Sequence, residues 1–445
     1  MVEIKPFKAL MYNQKIIKDL NRVICPPYDV ISEDGQTMLY HNDPHNIVRL
    51  EFGRDYLDDD EFNNKYIRAK MHLREWLNDH IFIFDENPSL YLYEQEFVHW
   101  DRVYRLIGFI SLIKLEYFEK GIIKPHEQTF SNPKKDRLSL MNATKSNFSP
   151  VWGVYYRSDN IYSIMQRKRE EKPFIDIRDD DEVKHRLWKV EGKDGINIIK
   201  EEMKNKDVFI ADGHHRYETA LNYRDIMRDR SVSIAGDEPY NYIMMFLVDI
   251  ENSGLIILPT HRLVRNVKNF TVDAFINKLG EFFEIENIKK NEIKEAKRIA
   301  LEKIYESSKI TNSFAVYAGD GHFLILKLKK GTSEEFMDKN KSKDWNSLDV
   351  IVLHKIIIEH ILGKEEEALS SGEDVTYMKT EDGAISMVDE GKYQLAIFLP
   401  PPKASQVIKI ANNKEKMPHK TTYFYPKPPT GLVFHSFYEN NNKGD

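Results

Sequence analysis

Cysteine is nearly missing: the 445 residues contain one, Cys25. A lone cysteine forms no internal disulfide and supplies no cysteine-based zinc or iron–sulfur site, so a reducing compartment fits. Long apolar runs are missing too. Leu106 to Ile113 (LIGFISLI) is among the longest, at about eight residues, against the roughly 20 that span a bilayer as a helix. The opening MVEIKPFKALMYNQ has Lys5 and Lys8 but no apolar stretch of signal-peptide length behind them. These absences predict a soluble cytoplasmic protein with no membrane partner. Positive charge is not in excess either: 65 Lys plus Arg stand against 71 Asp plus Glu, a formal charge of −6. That balance argues against a dedicated nucleic-acid binder, and any site for a polyanion must be local. The Gly-rich Lys-Ser/Thr phosphate loop, the Rossmann glycine fingerprint, the paired-histidine zinc helix and the Gly-x-Ser-x-Gly elbow are all absent.

What is present is a long, heavily charged chain with enough apolar residues for ordered cores: 31% charged and 41% hydrophobic. Its length predicts two or three domains. Residues 1–85 mix short apolar runs with Pro26-Pro27 and the acidic stretch Asp58 to Glu61, and read as an N-terminal α/β cap. From Leu90 the pattern turns to strands, and YLYEQEFVHW and VYRLIGFISLIKLEYF flank Asp101-Arg102 as a hairpin. Asn132 and Pro133 mark the start of a helix carrying Leu138 and Met141, and the apolar run Val208 to Ala211 passes through Asp212-Gly213 into a second helix. The loop-like SVSIAGDEP, Ser231 to Pro239, suggests a boundary, giving a central unit over 86–235. Residues 236–445 read as a second α+β domain, with a Lys/Glu-rich helix from Asn291 to Tyr305, a hairpin at Gly319-Asp320-Gly321 and a core helix from Asp349 to Leu362. Ser347 is the expected cap of that helix and Gly363 its stop. The fold class predicted is α+β.

Four polar clusters sit at the ends of these elements. The strongest is Asp212-Gly213-His214-His215-Arg216. Unpaired N–H groups and the positive dipole end of a helix favour phosphate there, Gly213 permits close approach, and Arg216 offers a planar fork. Asp212 is suited to hold Mg2+ or to orient a histidine. The alternative is a helix cap with solvated basic residues. His126-Glu127 follows a short strand, and Glu127 beside a phosphate site has the chemistry of a general base, although such dipeptides are more often simply solvated. Pro26-Pro27-Tyr28-Asp29 reads as a rigid turn, with Tyr28 available to stack on a base. The segment Met417 to Lys427 carries Lys420 and Lys427 as potential anion contacts, or is an aromatic edge strand. Arg137 stands close after the second cluster, and Cys25 reads as a small buried apolar residue.

The order ICPPYDVIS, KPHEQTF with KKDRLSL, FIADGHHRYETAL, ILPTHRLV and MPHKTTYFYPKPPTGL resembles the DUF1015 family across nearly the whole chain. The central part is similar to the ParB/sulfiredoxin-like superfamily, and particularly to its free-serine kinases. That resemblance implies a nucleotide-binding central unit. Glu127, with His126, would activate a hydroxyl, Asp212 would act at the metal or the hydroxyl, and Gly213 to Arg216 would bind phosphate. It further implies ATP or ADP with Mg2+ as cofactor and a small hydroxylated metabolite, free serine being the candidate, as acceptor. A DNA-partitioning role does not fit an acidic chain without a recognition helix. Sulfiredoxin chemistry lacks its cysteine beside the phosphate turn. The expected activity is a small-molecule phosphotransferase. A non-catalytic nucleotide- or metabolite-binding regulatory protein is the alternative, and a scaffold whose clusters are only caps and turns is a third. A homo-oligomer is compatible with the sequence, and nucleic acid is not an expected partner.

Overall fold

The computed structural model describes residues 1–231, 235–364, 373–418 and 420–438. Packing of the chain gives two compact units. Unit 1 contains Met1–Pro125, Thr129–Leu255 and Pro426–Asp445, and unit 2 contains His126–Gln128 and Ile256–Tyr425. Residues 1–85 therefore lie in the same unit as the central segment, and the loop near residue 235 falls inside it. Residues 232–234 of that loop lie outside the described residues.

Unit 1 is built on a mixed sheet that has nine strands among the described residues: β1 (Ile4–Lys5), β2 (Leu90–His99), β3 (Arg102–Lys114), β4 (Ile123–Lys124), β5 (Val151–Tyr155), β6 (Ile175–Arg178), β7 (Lys184–Val190), β8 (Val208–Asp212) and β9 (Tyr242–Asp249). Their spatial order is β4-β8-β5-β9-β3-β2-β7-β6, with β1 paired to β3. Pairs β4–β8 and β5–β9 are parallel and the other pairs are antiparallel. The expected hairpin is β2–β3. His99 pairs with Arg102 across a two-residue turn, Trp100-Asp101, both at positive φ (46° and 57°), as the right-handed twist of a tight hairpin requires.

One face of this sheet is covered by α1 (Ser131–Thr144), α2 (Asp159–Arg169), α3 (Lys193–Lys204) and α4 (His214–Arg230). Leu92, Phe109, Tyr155 and Leu247 from the strands pack with Ile161, Ile199, Tyr217 and Ala220 from the helices, each burial contributing roughly 1.5–3 kcal/mol for a full aliphatic or aromatic side chain. α1 begins at Ser131, so Pro133 occupies the first turn, where a missing N–H has no intrahelical partner to lose. Asn132 is consequently inside the helix rather than its cap.

Unit 2 is a separate α+β body. Strands β10 (His261–Val264), β11 (Phe283–Lys289), β12 (Ser313–Tyr317), β13 (His322–Leu328), β14 (Val375–Met378) and β15 (Leu395–Phe398) form an antiparallel sheet in the order β11-β13-β12-β15-β10-β14. Helices α6 (Ile293–Ser307) and α7 (Glu381–Asp389), which follow α5 (Val272–Phe282), pack on it through Ala300, Ile304, Ala384 and Val388. The expected core helix over 349–362 is α-helical only over Asp349–Val352 and continues as a nine-residue π-helix, Leu353–Ile361. Its N-cap is Leu348 rather than Ser347, and Gly363 ends it at φ 65°. Among the described residues no helix is long and apolar enough to cross a membrane.

Candidate functional site

The start of α4 is shaped by what β8 does just before it. The strand pairs with β4 on one side and β5 on the other, and its register against β5 slips between Ile210 and Asp212. Gly213 then turns into the helix at φ 89°, a left-handed conformation that costs glycine least, and no side chain caps the turn. A second constraint acts at the same glycine. A Cβ there would lie 2.9–3.0 Å from the guanidinium of Arg216, which folds back over it.

Arg216 is 9% exposed, and its fork is directed at protein. Nη2 donates to Asp212 Oδ2 at 2.6 Å, and Nη1 donates to the Pro150 carbonyl. The other carboxylate oxygen of Asp212 meets Lys427 Nζ at 2.7 Å, and the same ammonium pairs with Asp29. An Asp29–Lys427–Asp212–Arg216 chain therefore joins three regions remote in sequence. Burial alone would lower the Lys427 pKa, but the Asp212 and Asp29 carboxylates outweigh it and hold the ammonium charged, above the ordinary lysine value.

A second layer stands beside this chain. Tyr28 lies against the guanidinium of Arg137, 4.0 Å from ring centroid to Cζ, so it stacks on an arginine rather than offering an open face to a base. Burial raises its hydroxyl to about 12, with Arg137 and Arg216 pulling the other way. Arg137 donates to Asp136 Oδ2 from Nε at 2.8 Å and to the Glu51 carbonyl from Nη1 at 2.8 Å. Glu51 is 3% exposed and accepts from Ser149 Oγ at 2.9 Å; burial raises its pKa, offset in part by Arg137 and Arg216. A cavity of about 30 Å3, room for one water, is lined by Glu51, Arg137, Ser149, Arg216 and Thr219. On the other side of α4, Glu218 Oε2 accepts from Thr129 Oγ1 (2.6 Å) and Lys134 Nζ (2.9 Å). The Phe130 N–H donates to His215 Nε2 at 2.9 Å, and the two rings stack. His214 is buried.

Of the residues singled out from sequence, Tyr28, Arg137, Asp212, Gly213, His214, His215, Arg216 and Lys427 all fall in unit 1. His126, Glu127 and Lys420 fall in unit 2. There the Met417 N–H donates to the His126 carbonyl (2.7 Å), Lys416 Nζ donates to the Glu127 carbonyl (3.2 Å), and the buried His126 ring shares a hydrogen bond with Thr422 Oγ1 (3.1 Å). Residues 126–128 are thus held by the 416–422 segment. His419 of that segment lies outside the described residues. Lys420 stands 5.0 Å from the Tyr377 ring centroid.

Sequence reasoning did not select Asp29, Glu51, Asp136 or Glu218 as site residues. Asp29, Glu51 and Glu218 find their partners tens to hundreds of positions away, so no local spacing marks them, and the pairing of Asp136 with its neighbour Arg137 carries no signal by itself. The magnesium expectation at Asp212 does not fit the donor set. Both of its oxygens already face cations, and among the described residues no group of three or more His, Cys, Asp or Glu side chains is arranged to hold a metal.

A family profile described as protein of unknown function (DUF1015) matches residues 4–351. The chain belongs to the DUF1015 family. No curated protein matches this DUF1015 chain. Among solved structures it is similar to a free serine kinase in complex with AMP, at 13% identity and TM-score 0.32, covering 70% of this chain and 89% of that one. It is also similar to a conserved hypothetical protein from Pyrococcus furiosus, at 13% identity and TM-score 0.31, covering 70% and 91%. A third is C-terminally truncated SbnI from Staphylococcus aureus, at 10% identity and TM-score 0.33, covering 73% and 86%. At such low identity and TM-score these likenesses carry no argument about function.

Proposed function

We propose that the start of α4 in this DUF1015 protein binds the phosphates of ATP or ADP, and that the protein transfers a phosphoryl group between that nucleotide and a small hydroxylated metabolite, free serine being the candidate. The observation that carries this reading is the convergence of Arg216 and Lys427 on Asp212 at the N-terminus of a seventeen-residue helix. The positive end of a helix and two cations at one point are what a polyphosphate requires. Phosphoryl transfer depends mostly on positioning and charge neutralisation, and Lys427 and Arg216 supply that charge by turning from Asp212 to phosphate oxygens. No step is assigned to a metal. The ParB/sulfiredoxin-like assignment of unit 1 belongs to this proposal, as does the role of hydroxyl base for Glu127, which rests on the His-Glu motif.

One observation favours the alternative, a regulatory protein that binds a nucleotide or metabolite without turnover: the fork of Arg216 is already spent on Asp212 and Pro150. The two readings separate on calorimetry with ATP and ADP followed by a transfer assay with serine. The enzyme reading expects heat on binding, turnover lost in Glu127→Gln with binding kept, and binding weakened about tenfold or more in Arg216→Ala. Tight binding with no transfer, unchanged by Glu127→Gln, selects the regulatory reading. Absence of heat with either nucleotide sinks the enzyme reading and the nucleotide-binding form of the regulatory one.

A further inference from the structure

Strand register sets three charged residues in one row across the sheet of unit 1. Glu94 on β2 stands directly opposite Arg186 on β7, which stands opposite Asp176 on β6. Two residues along, the pair Leu92 and Trp188 packs into the core under the helices, so the row lies on the same face. Glu94 is 1% exposed, and two guanidiniums close on it. Arg186 Nη1 donates to Oε1 at 2.6 Å, and Arg169 Nη2, from the last turn of α2, meets Oε2 at 2.5 Å. The arginines themselves stay within reach of solvent, with side chains 28% exposed at Arg169 and 20% at Arg186. A cavity of about 440 Å3 opens onto them, with Glu94, Gln166, Arg169, Glu170, Asp176 and Arg186 in its lining.

Charge is divided within this cavity. Asp176 is shared between Lys184 at 3.4 Å and Arg186 at 3.6 Å, and Glu96, 3.5 Å from Arg186, is taken by Arg105 at 2.8 Å. The carboxylates of Glu94, Glu96 and Asp176 therefore meet four cations, Arg105, Arg169, Arg186 and Lys184, and one positive charge is left over. Donors are left over too. Arg169 spends Nη1 on Gln166 Oε1 (2.9 Å) and Nη2 on Glu94, which leaves its Nε, while Arg186 keeps Nη2 and Gln166 its amide nitrogen. The rim has the opposite character. Glu170, the exposed residue that ends α2, pairs with no cation among the described residues, whereas its neighbour Glu171 has Lys168 at 2.7 Å. The last carbonyls of α2 add partial negative charge at the same point. Positive charge with spare N–H groups inside, and a spare carboxylate at the mouth, is the pattern a small zwitterion completes.

We propose that this cavity binds a free α-amino acid, its carboxylate held by Arg169, Arg186 and Gln166 and its ammonium by Glu170. The arginines keep their bonds to Glu94 and use the N–H groups that remain. None of these residues belongs to the α4 cluster, so the inference stands apart from the nucleotide reading.

Calorimetric titration of the full-length protein with the common α-amino acids, one at a time in nucleotide-free buffer at fixed ionic strength, tests it. The expected result is saturable binding of at least one of them at about 1 mM or tighter, lost when its amine is acetylated or its carboxylate amidated. That binding should weaken about tenfold or more in Arg169→Gln and about fivefold in Glu170→Gln, and persist in Arg216→Ala. Arg169→Gln leaves Glu94 to Arg186 alone; should it fail to fold, Glu170→Gln, at an exposed position outside any ion pair, still decides. No saturable binding of any amino acid, equal binding of the acetylated or amidated forms, affinity unchanged in Glu170→Gln, or loss in Arg216→Ala alone, which assigns the ligand to the start of α4, would each overturn the proposal.

Discussion

Lys427 shows how a residue can be correctly selected from sequence and still have a different first duty. In the sequence it is an ammonium in a Pro-rich tail, suited to reach an anion. In the fold its side chain is 8% exposed and pinned between Asp29 and Asp212. Removing it leaves two carboxylates facing each other in a partly buried setting, and Lys427→Met should cost about 3 kcal/mol in urea unfolding, in the range found for breaking a buried pair. Deleting one partner of the exposed pair Arg298–Glu302 should change stability by about 0.5 kcal/mol or less. Equal effects from the two variants would mean that Lys427 contributes no more than a surface charge. Asp212 and Arg216 were legible as members of one cluster at a helix start, though as metal and phosphate groups rather than as partners of each other. Asp29, Glu51 and Glu218 were not, since each finds its partner only when distant segments pack.

At the scale of elements, turn chemistry and hydrophobic period carried most of the reading. The β2–β3 hairpin, the hairpin at Gly319 to Gly321 and the amphipathic α6 all have local signals, and all three form, the first with its turn at Trp100-Asp101, one residue before the expected Asp101-Arg102. The π-helix has none. Its sequence, LHKIIIEHI, satisfies an apolar α-helix equally well. Gly108 was similarly silent. It sits in β3 opposite Val248 of β9, where a Cβ would come within 2.2 Å of the Leu247 carbonyl oxygen. Backbone cannot yield there as a flexible side chain would, so Gly108→Ala should separate the central strands locally and cost about 3 kcal/mol or more. Thermal melts and solubility check this, and a melt within a degree of wild type would refute it.

For the molecule as a whole, the decisive fact is that unit 1 is discontinuous in sequence. The loop at 231–239 has a boundary's composition, yet β9 follows it and returns to the middle of the first sheet, between β5 and β3; no local pattern announces such a return. The tail from Pro426 also comes back to unit 1. Thr430 and Cys25 exchange backbone hydrogen bonds, Phe434 and Leu10 do the same, and His435-Ser436 pairs with Ser146-Asn147. Closing the unit this way buries His435, 4% exposed, among Phe7, Phe437 and Asn147. Burial, with a smaller contribution from Lys5, depresses its pKa to about 3 against an ordinary 6.5. Between those values the unfolded chain binds a proton that the native state refuses, so the contribution of His435 to the stability of unit 1 rises with pH from about 3 to about 6.5 and levels off above. The slope from this one group approaches roughly 1.4 kcal/mol per pH unit in mid-window. Hydrogen exchange of unit 1 amides at pH 4.5 and 7 should show a loss of about 2 kcal/mol at the lower pH that is absent in His435→Gln, a variant neutral throughout that keeps a donor for Asn147. Parallel pH profiles for the two proteins would mean that the tail opens cheaply enough for the imidazole to titrate as it does in water.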